Sequence, residues 1–410
     1  MKINIKLTTT YLLLFSACFF LSGHSYSIIV GSGVDMAMLL AGFISCALLY
    51  PLLHLPRRIN AEGAFVICIA IGAVLSYILY YRQNMWLDPL LLLGKIALAY
   101  LISQRLSFNK FAKLFVNAIA FVSAIAISAT LLLQAGLTIP SYTYIGANGM
   151  VYHTIWLCSW LDPSVGIPRL MGPFWEPGLY SSVAIYALLC EGCFTGEKPR
   201  KLPMAVILIG IFFAYSTAGY VLTLLAIYIV FFQAKRKRAI CDAITIFIII
   251  IIFLSKNRIV EALANWNYDV FWKFTEQNIS ANTRLFSPIA CLQVFLQNPL
   301  TGLGMSYATN QYNLYKPVFG IDSLTSTNTF MLAAFGIWGI SYTIFLCRGI
   351  FRQKQFAVTT RILLLVLMLV IVNKEPHTSI LFTYIMMFYL NKNCNEVLMT
   401  NVDSLKLGIK

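Results

Sequence analysis

Charge is what this chain has least of. Only 11% of its 410 residues are Asp, Glu, Lys or Arg, against 59% hydrophobic, and mean hydropathy is +0.78. So little charge cannot cover a water-soluble domain of this size, which excludes a soluble enzyme. Histidine is scarce as well: His24, His54, His153 and His377 stand alone, with no HExxH and no clustered carboxylates, so no metal site is expected. Walker loops, a GxSxG elbow and DxD-like pairs are missing, and so are low-complexity tracts. Most of the ten cysteines lie inside apolar runs, which excludes a disulfide scaffold.

Long apolar runs are what is there. A helix crossing the hydrocarbon core needs about 20 mostly apolar residues. The runs that qualify are Thr8 to Gly23, Met36 to Leu55, Ala64 to Tyr81, Leu87 to Ser103, Leu114 to Leu133, Gly178 to Phe194, Ile240 to Leu254, Thr329 to Phe345, Val358 to Val372 and Thr378 to Leu390. Leu202 to Phe232 is long for one crossing and short for two. Basic clusters flank it on both sides, Lys198 to Lys201 before and Lys235 to Arg238 after, so the chain must enter and return. Two short helices with a turn at Ser216-Thr217-Ala218-Gly219 make about twelve spans, and a re-entrant hairpin would give the same topology. The N-terminal run resembles a lipoprotein signal at Leu14 to Cys18, but apolar residues continue past Cys18, and an uncleaved first span is expected.

The expected fold class is therefore all-α: a single integral membrane domain over residues 1–410. With both termini cytoplasmic, 21 of the 30 basic residues fall on the inner side. The formal charge of +15 is then a topology signal, and no nucleic-acid partner is needed to explain it. Two long connections, residues 134–177 and 255–328, land on the outer face. They are aromatic-rich and read as folded caps over an outward-facing cavity. Cys158 and Cys291 are the cysteines placed in these loops, and spacing leaves a bridge between them open.

The outer loops hold the motifs. Arg169-Leu170-Met171-Gly172-Pro173-Phe174-Trp175-Glu176-Pro177-Gly178 runs straight into a span, with Glu176 at the N-cap and Pro177 at the first helical position. A glutamate there often serves only to satisfy the helix terminus. Beside an arginine at the membrane surface it also suits a lipid-linked anionic head group. The helix dipole lowers the basicity of Glu176 unless burial offsets it. The second loop carries Arg284, then Asn298-Pro299-Leu300-Thr301-Gly302-Leu303-Gly304, then Thr327-Asn328-Thr329-Phe330. Gly302-x-Gly304 follows no βαβ pattern, and either turns tightly or approaches a phosphate. Lys95, inside a span, is a functional candidate or the partner of a polar neighbour.

Together these runs resemble the O-antigen polymerases (Wzy-type). The resemblance rests on Arg-x-x-Gly-x-Phe-x-Glu-Pro-Gly opening a span, the polar break at residues 216–219, Asn-Pro-Leu-x-Gly-x-Gly followed by Thr-Asn-Thr-Phe, and Asn373-Lys374-Glu375-Pro376 between the last two spans. It covers Arg169 to about Leu390. It implies a multi-pass protein of the bacterial inner membrane with two large periplasmic loops. The implied activity transfers a growing glycan from undecaprenyl pyrophosphate to a sugar hydroxyl of a new lipid-linked repeat unit. By resemblance Arg169 and Arg284 contact pyrophosphate, and Glu176 is the base or orienting group. Asn328, Glu375 and Trp175 bind substrate, and Trp156 and Trp160 are further stacking candidates. No cofactor is implied, because the donor is already activated; membrane lipid and a chain-length regulator are the partners. Related ligases typically carry a histidine before the asparagine, where this chain has Thr327, which favours polymerase. A polysaccharide-unit flippase is the competing expectation, but no internal repeat is evident and nearly all charge is kept out of the spans. A membrane scaffold, the third expectation, would not need Arg169 and Arg284 in such surroundings.

Overall fold

A computed structural model describes residues 5–49, 60–146, 150–164, 168–195, 198–232 and 279–392. The chain is mostly helical: α1 (Ile5–Phe20), α2 (Ser25–Val30), α3 (Ser32–Leu49), α4 (Ala61–Leu79), α5 (Leu87–Arg105), α6 (Phe108–Gln134), α7 (Pro177–Leu189), α8 (Lys201–Phe213), α9 (Thr217–Phe232), α10 (Ile279–Gln297), α11 (Met305–Phe319), α12 (Thr327–Phe335), α13 (Ile340–Phe351), α14 (Val358–Lys374) and α15 (Leu381–Asn391). Five stretches are long and apolar enough to cross a membrane: α3, α4, α5, α6 and the helical run Thr327–Phe351. Shorter apolar helices include Lys201–Phe213, Thr217–Phe231 and Leu381–Asn391. The expected span Ile240 to Leu254 lies outside the described residues.

Two helices form the centre. Every residue of α7 from Gly178 to Leu189 is buried, and so is every residue of α15. Helices that are apolar all round have no face to give to solvent or lipid, so they pack inside the bundle. They run parallel, since Tyr186 meets Thr383 and, one turn on, Cys190 meets Met386. Their N-termini therefore open at the same end. At the other end Glu191, 3% exposed, takes a bidentate hydrogen bond from Arg200 at 2.9 and 2.8 Å, joining a π-helical turn (Cys190–Phe194) to the start of α8.

The Leu202 to Phe232 run does split into two helices. The break falls at Ala214 to Ser216, slightly earlier than the expected turn, with Tyr215 at φ 48°. Ser216 Oγ accepts the Gly219 N–H, so Thr217, Ala218 and Gly219 already belong to α9. The run Thr329 to Phe345 is likewise interrupted, by a 3-10 turn at Gly336–Gly339.

The all-α expectation needs one correction. The first long loop holds a three-stranded antiparallel sheet, β1 (Tyr142–Ile145), β2 (Val151–Ile155) and β3 (Cys158–Leu161), in the order β1-β2-β3. Aromatic and β-branched residues dominate β1 and β2, which suits a pleated, half-buried surface. His153 on β2 bonds Asp162 at 2.7 Å, holding the carboxyl of Asp162 down at about 2 together with Ser164, whose bonds are the larger cause. The sheet is tied to the segment entering α7 by Ser159 N–H to the Gly172 carbonyl, and that segment to the α1–α2 turn by Ser25 N–H to the Pro173 carbonyl.

Gly302 and Gly304 have a packing role. Both lie at positive φ (70° and 82°), and a Cβ on Gly302 would collide with the backbone of Ala334. The N–H groups of Leu303 and Gly304 donate to the carbonyls of Ala333 and Ala334, closing the C-terminal end of α12. These amides are committed to α12, which leaves the tight-turn reading of the run and removes the phosphate reading. Cys158 and Cys291 are both buried free thiols, so the bridge left open between them is not made.

Candidate functional site

Glu176 opens the central helix α7 as its N-cap, with Pro177 at the first position. Its side chain makes no capping bond. It hydrogen-bonds instead to the carboxyl of Glu375, in the short connection between α14 and α15. Burial first, then the charge and hydrogen bond of Glu375, push the Glu176 carboxyl well above the usual carboxylate range. Arg284 and Lys374 pull the other way and do not offset this. Desolvation thus works against the helix dipole, which alone would lower the basicity of Glu176.

The approach depends on Gly178. A Cβ at this position would overlap Glu375 Oε1, so a side chain at the second residue of α7 would force the two carboxyls apart. The Gly178 carbonyl also accepts from Lys374 Nζ at 3.1 Å, which holds that ammonium, 3% exposed, beside the pair.

Arg284 on α10 completes the group. Its guanidinium lies 3.8 Å from Glu375 Oε1, with the Arg284 side chain 42% exposed and that of Glu375 6%. One cation is thus buried behind the carboxyls and one faces outward. With the charged form of Glu176 disfavoured, the four groups lean positive, which suits an anionic ligand approaching from the Arg284 side.

The start of α12 forms the next wall. Asn373 Oδ1 accepts from Ser326 Oγ at 2.8 Å and from the Asn328 N–H at 3.2 Å. Thr327 Oγ1 takes the His377 N–H at 2.7 Å and reaches the Glu375 carbonyl at 3.4 Å. Among the described residues two buried polar atoms here have no hydrogen-bond partner, Asn328 Oδ1 and His377 Nε2. Burial, with Lys374 as a smaller cause, lowers His377 to about 3, so the ring is neutral; its Nδ1 pairs with Thr383 Oγ1 at 2.7 Å. Orphaned polar groups are costly, and both of these lie close to the carboxyl pair.

No protein-family model matches this chain, and no curated protein matches it.

Of the residues singled out from sequence, Glu176, Glu375 and Arg284 come together, and Asn328 stands beside them through Asn373. Trp175, partly exposed, lines a neighbouring cavity. Arg169 lies elsewhere. It sits at the α8–α9 break, where Leu170 N–H bonds the Phe213 carbonyl and the Arg169 charge acts on Tyr220. Arg169 is not among the charges acting on Glu176. Gly219, in the first turn of α9, abuts Ser181 of α7. Trp160 is 2% exposed and stacks on His153 within the sheet, which makes it core; Trp156 is 69% exposed. Sequence reasoning missed Lys374, Asn373, His377 and Gly178 as members of the site. The signal for Lys374 was available: a basic residue directly before an acid at a span terminus.

Proposed function

We propose that this chain is a membrane glycosyltransferase that polymerises undecaprenyl-pyrophosphate-linked oligosaccharide repeat units into O-antigen or a related surface polysaccharide. The observation that carries the reading is the close Glu176–Glu375 carboxyl pair flanked by Arg284 and Lys374. In the reaction, a hydroxyl oxygen of the new repeat unit attacks the anomeric carbon of the growing glycan. The bond from that carbon to the lipid diphosphate breaks, and its electron pair leaves with the diphosphate. The hydroxyl proton passes to the ionised member of the carboxyl pair. Arg284 balances the charge that develops on the leaving group, with Lys374 behind it. Asn328 orients substrate through its free Oδ1. Arg169 contacts pyrophosphate from the α8–α9 side.

The same reading places the chain in the bacterial inner membrane with about twelve spans, both termini cytoplasmic, and the two long loops, residues 134–177 and 255–328, in the periplasm. Its partners are the lipid-linked oligosaccharide, membrane lipid and a chain-length regulator. No cofactor is required.

The test is a length distribution on a gel. Arg169, Glu176 and Arg284 are replaced singly in a strain that displays the polysaccharide. A single repeat unit left on the acceptor lipid is the expected result. No repeat unit at the surface would instead indicate a flippase, and full-length ladders from all three variants would remove the site assignment.

A further inference from the structure

A cavity of about 200 Å³ opens beside Trp175, lined also by Phe20, His24, Asp35, Lys95 and Ser379. Lys95, midway along α5, is 5% exposed; its ammonium donates to the Ser379 carbonyl at 3.0 Å and stands 3.9 Å from Asp35. Asp35, in the first turn of α3, accepts from Ser27 Oγ at 2.8 Å. Both charges lie in helices apolar enough to cross a membrane, where an ion pair facing a cavity is costly unless it is used.

Three features define what fits. The ion pair sums to zero, so unlike the Arg284 side it does not draw in a phosphate. It offers a carboxylate acceptor and an ammonium donor side by side, which matches adjacent hydroxyls. Trp175 supplies an aromatic wall for the C–H face of a ring. Trp175 also directly precedes Glu176, and Ser379 lies in the same α14–α15 connection as Glu375. The cavity is therefore lined by the same two segments that carry the carboxyl pair. Arg284 does not line it.

We propose that this cavity is the binding site for the acceptor sugar, a neutral pyranose whose hydroxyls pair with Asp35 and Lys95 while its ring packs on Trp175. The assignment rests on the glycan-polymerase reading. It gives the two lipid-linked substrates separate places, the donor diphosphate at Arg284 and the acceptor ring at Lys95.

The experiment uses full-length protein in lipid nanodiscs and two probes. One is the free repeat-unit oligosaccharide released by mild acid from the strain's own lipid; the other is inorganic pyrophosphate. Titration calorimetry on Asp35→Asn and Trp175→Ala is expected to show oligosaccharide binding weakened at least about tenfold, roughly the loss of one good hydrogen-bonded or stacking contact, with pyrophosphate binding unchanged. Arg284→Ala is expected to reverse the pattern. A double variant, Asp35→Asn with Lys95→Gln, removes both charges without stranding either, and its melting curve shows whether the fold is kept; it too should lose the oligosaccharide. Oligosaccharide binding unchanged in these variants, or pyrophosphate binding lost equally, would overturn the acceptor site even if the wild type polymerises. Wild-type protein that binds the oligosaccharide through Asp35 yet makes no polymer would overturn the polymerase reading and leave the cavity standing.

Discussion

Glu176 and Glu375 hydrogen-bond carboxyl to carboxyl across the start of α7, and the missing side chain of Gly178 is what lets them meet. One carboxyl belongs to an N-cap that caps nothing; the other belongs to the connection leading into the second central helix. The site is thus built where the two innermost helices begin, behind an exposed arginine and in front of a buried lysine.

Gly178→Ala should separate the pair. The added methyl has no room, and overpacking of this kind costs about 1–3 kcal/mol. A lowered melting temperature together with loss of long ladders is expected. A variant as stable and as active as the wild type would show that the close approach is not needed.

Glu176→Gln keeps an amide where the carboxyl donates and removes its titration. The protein should fold, and polymer yield should fall by about 10²-fold or more, the range for loss of a positioned acid–base group. Quantitative gels with a melting curve on the same preparation check both halves.

Stability should depend on pH through Glu176. Its folded-state carboxyl is raised, so its contribution is full below the ordinary carboxylate value and is lost as pH climbs toward the raised one. Wild-type melting temperature should therefore decline from about pH 5 upward by more than that of Glu176→Gln. Parallel curves for the two proteins would mean that the pair does not hold the proton.

Arg200→Ala should destabilise without touching the site. Glu191 would be left buried without its bidentate partner, at a cost of about 2–4 kcal/mol, while Arg200→Lys, which lacks the fork, should recover part of it. Chemical denaturation of the three proteins orders them.

Much of this was legible in the sequence, because lipid imposes a simple rule on composition. Apolar runs gave the helices, and the Leu202 to Phe232 run, too long for one crossing, splits at Tyr215 into two. Glu176, Arg284 and Glu375 stood out as charges in a chain that has few. Their convergence was not legible, since the register of α14 against α7 is set by packing, as at Gly178, and leaves no mark on local pattern. Arg169 looked like a neighbour of Glu176 because only six residues lie between them. A loop, however, sends its side chains wherever its backbone turns, here toward Tyr220. The sheet was hidden for a related reason: short aromatic strands between apolar helices read as more of the same.

The most direct measurement reconstitutes the reaction. Purified protein in lipid vesicles is given a polyprenyl-diphosphate-linked repeat unit as the sole substrate, without nucleotide sugars, and the products are resolved by length. The wild type should build a ladder and release polyprenyl diphosphate in step with each added unit, while Glu176→Gln and Glu375→Gln, both folded, should leave the substrate unextended. A wild type that extends nothing, or variants that extend as far as it does, would contradict the account.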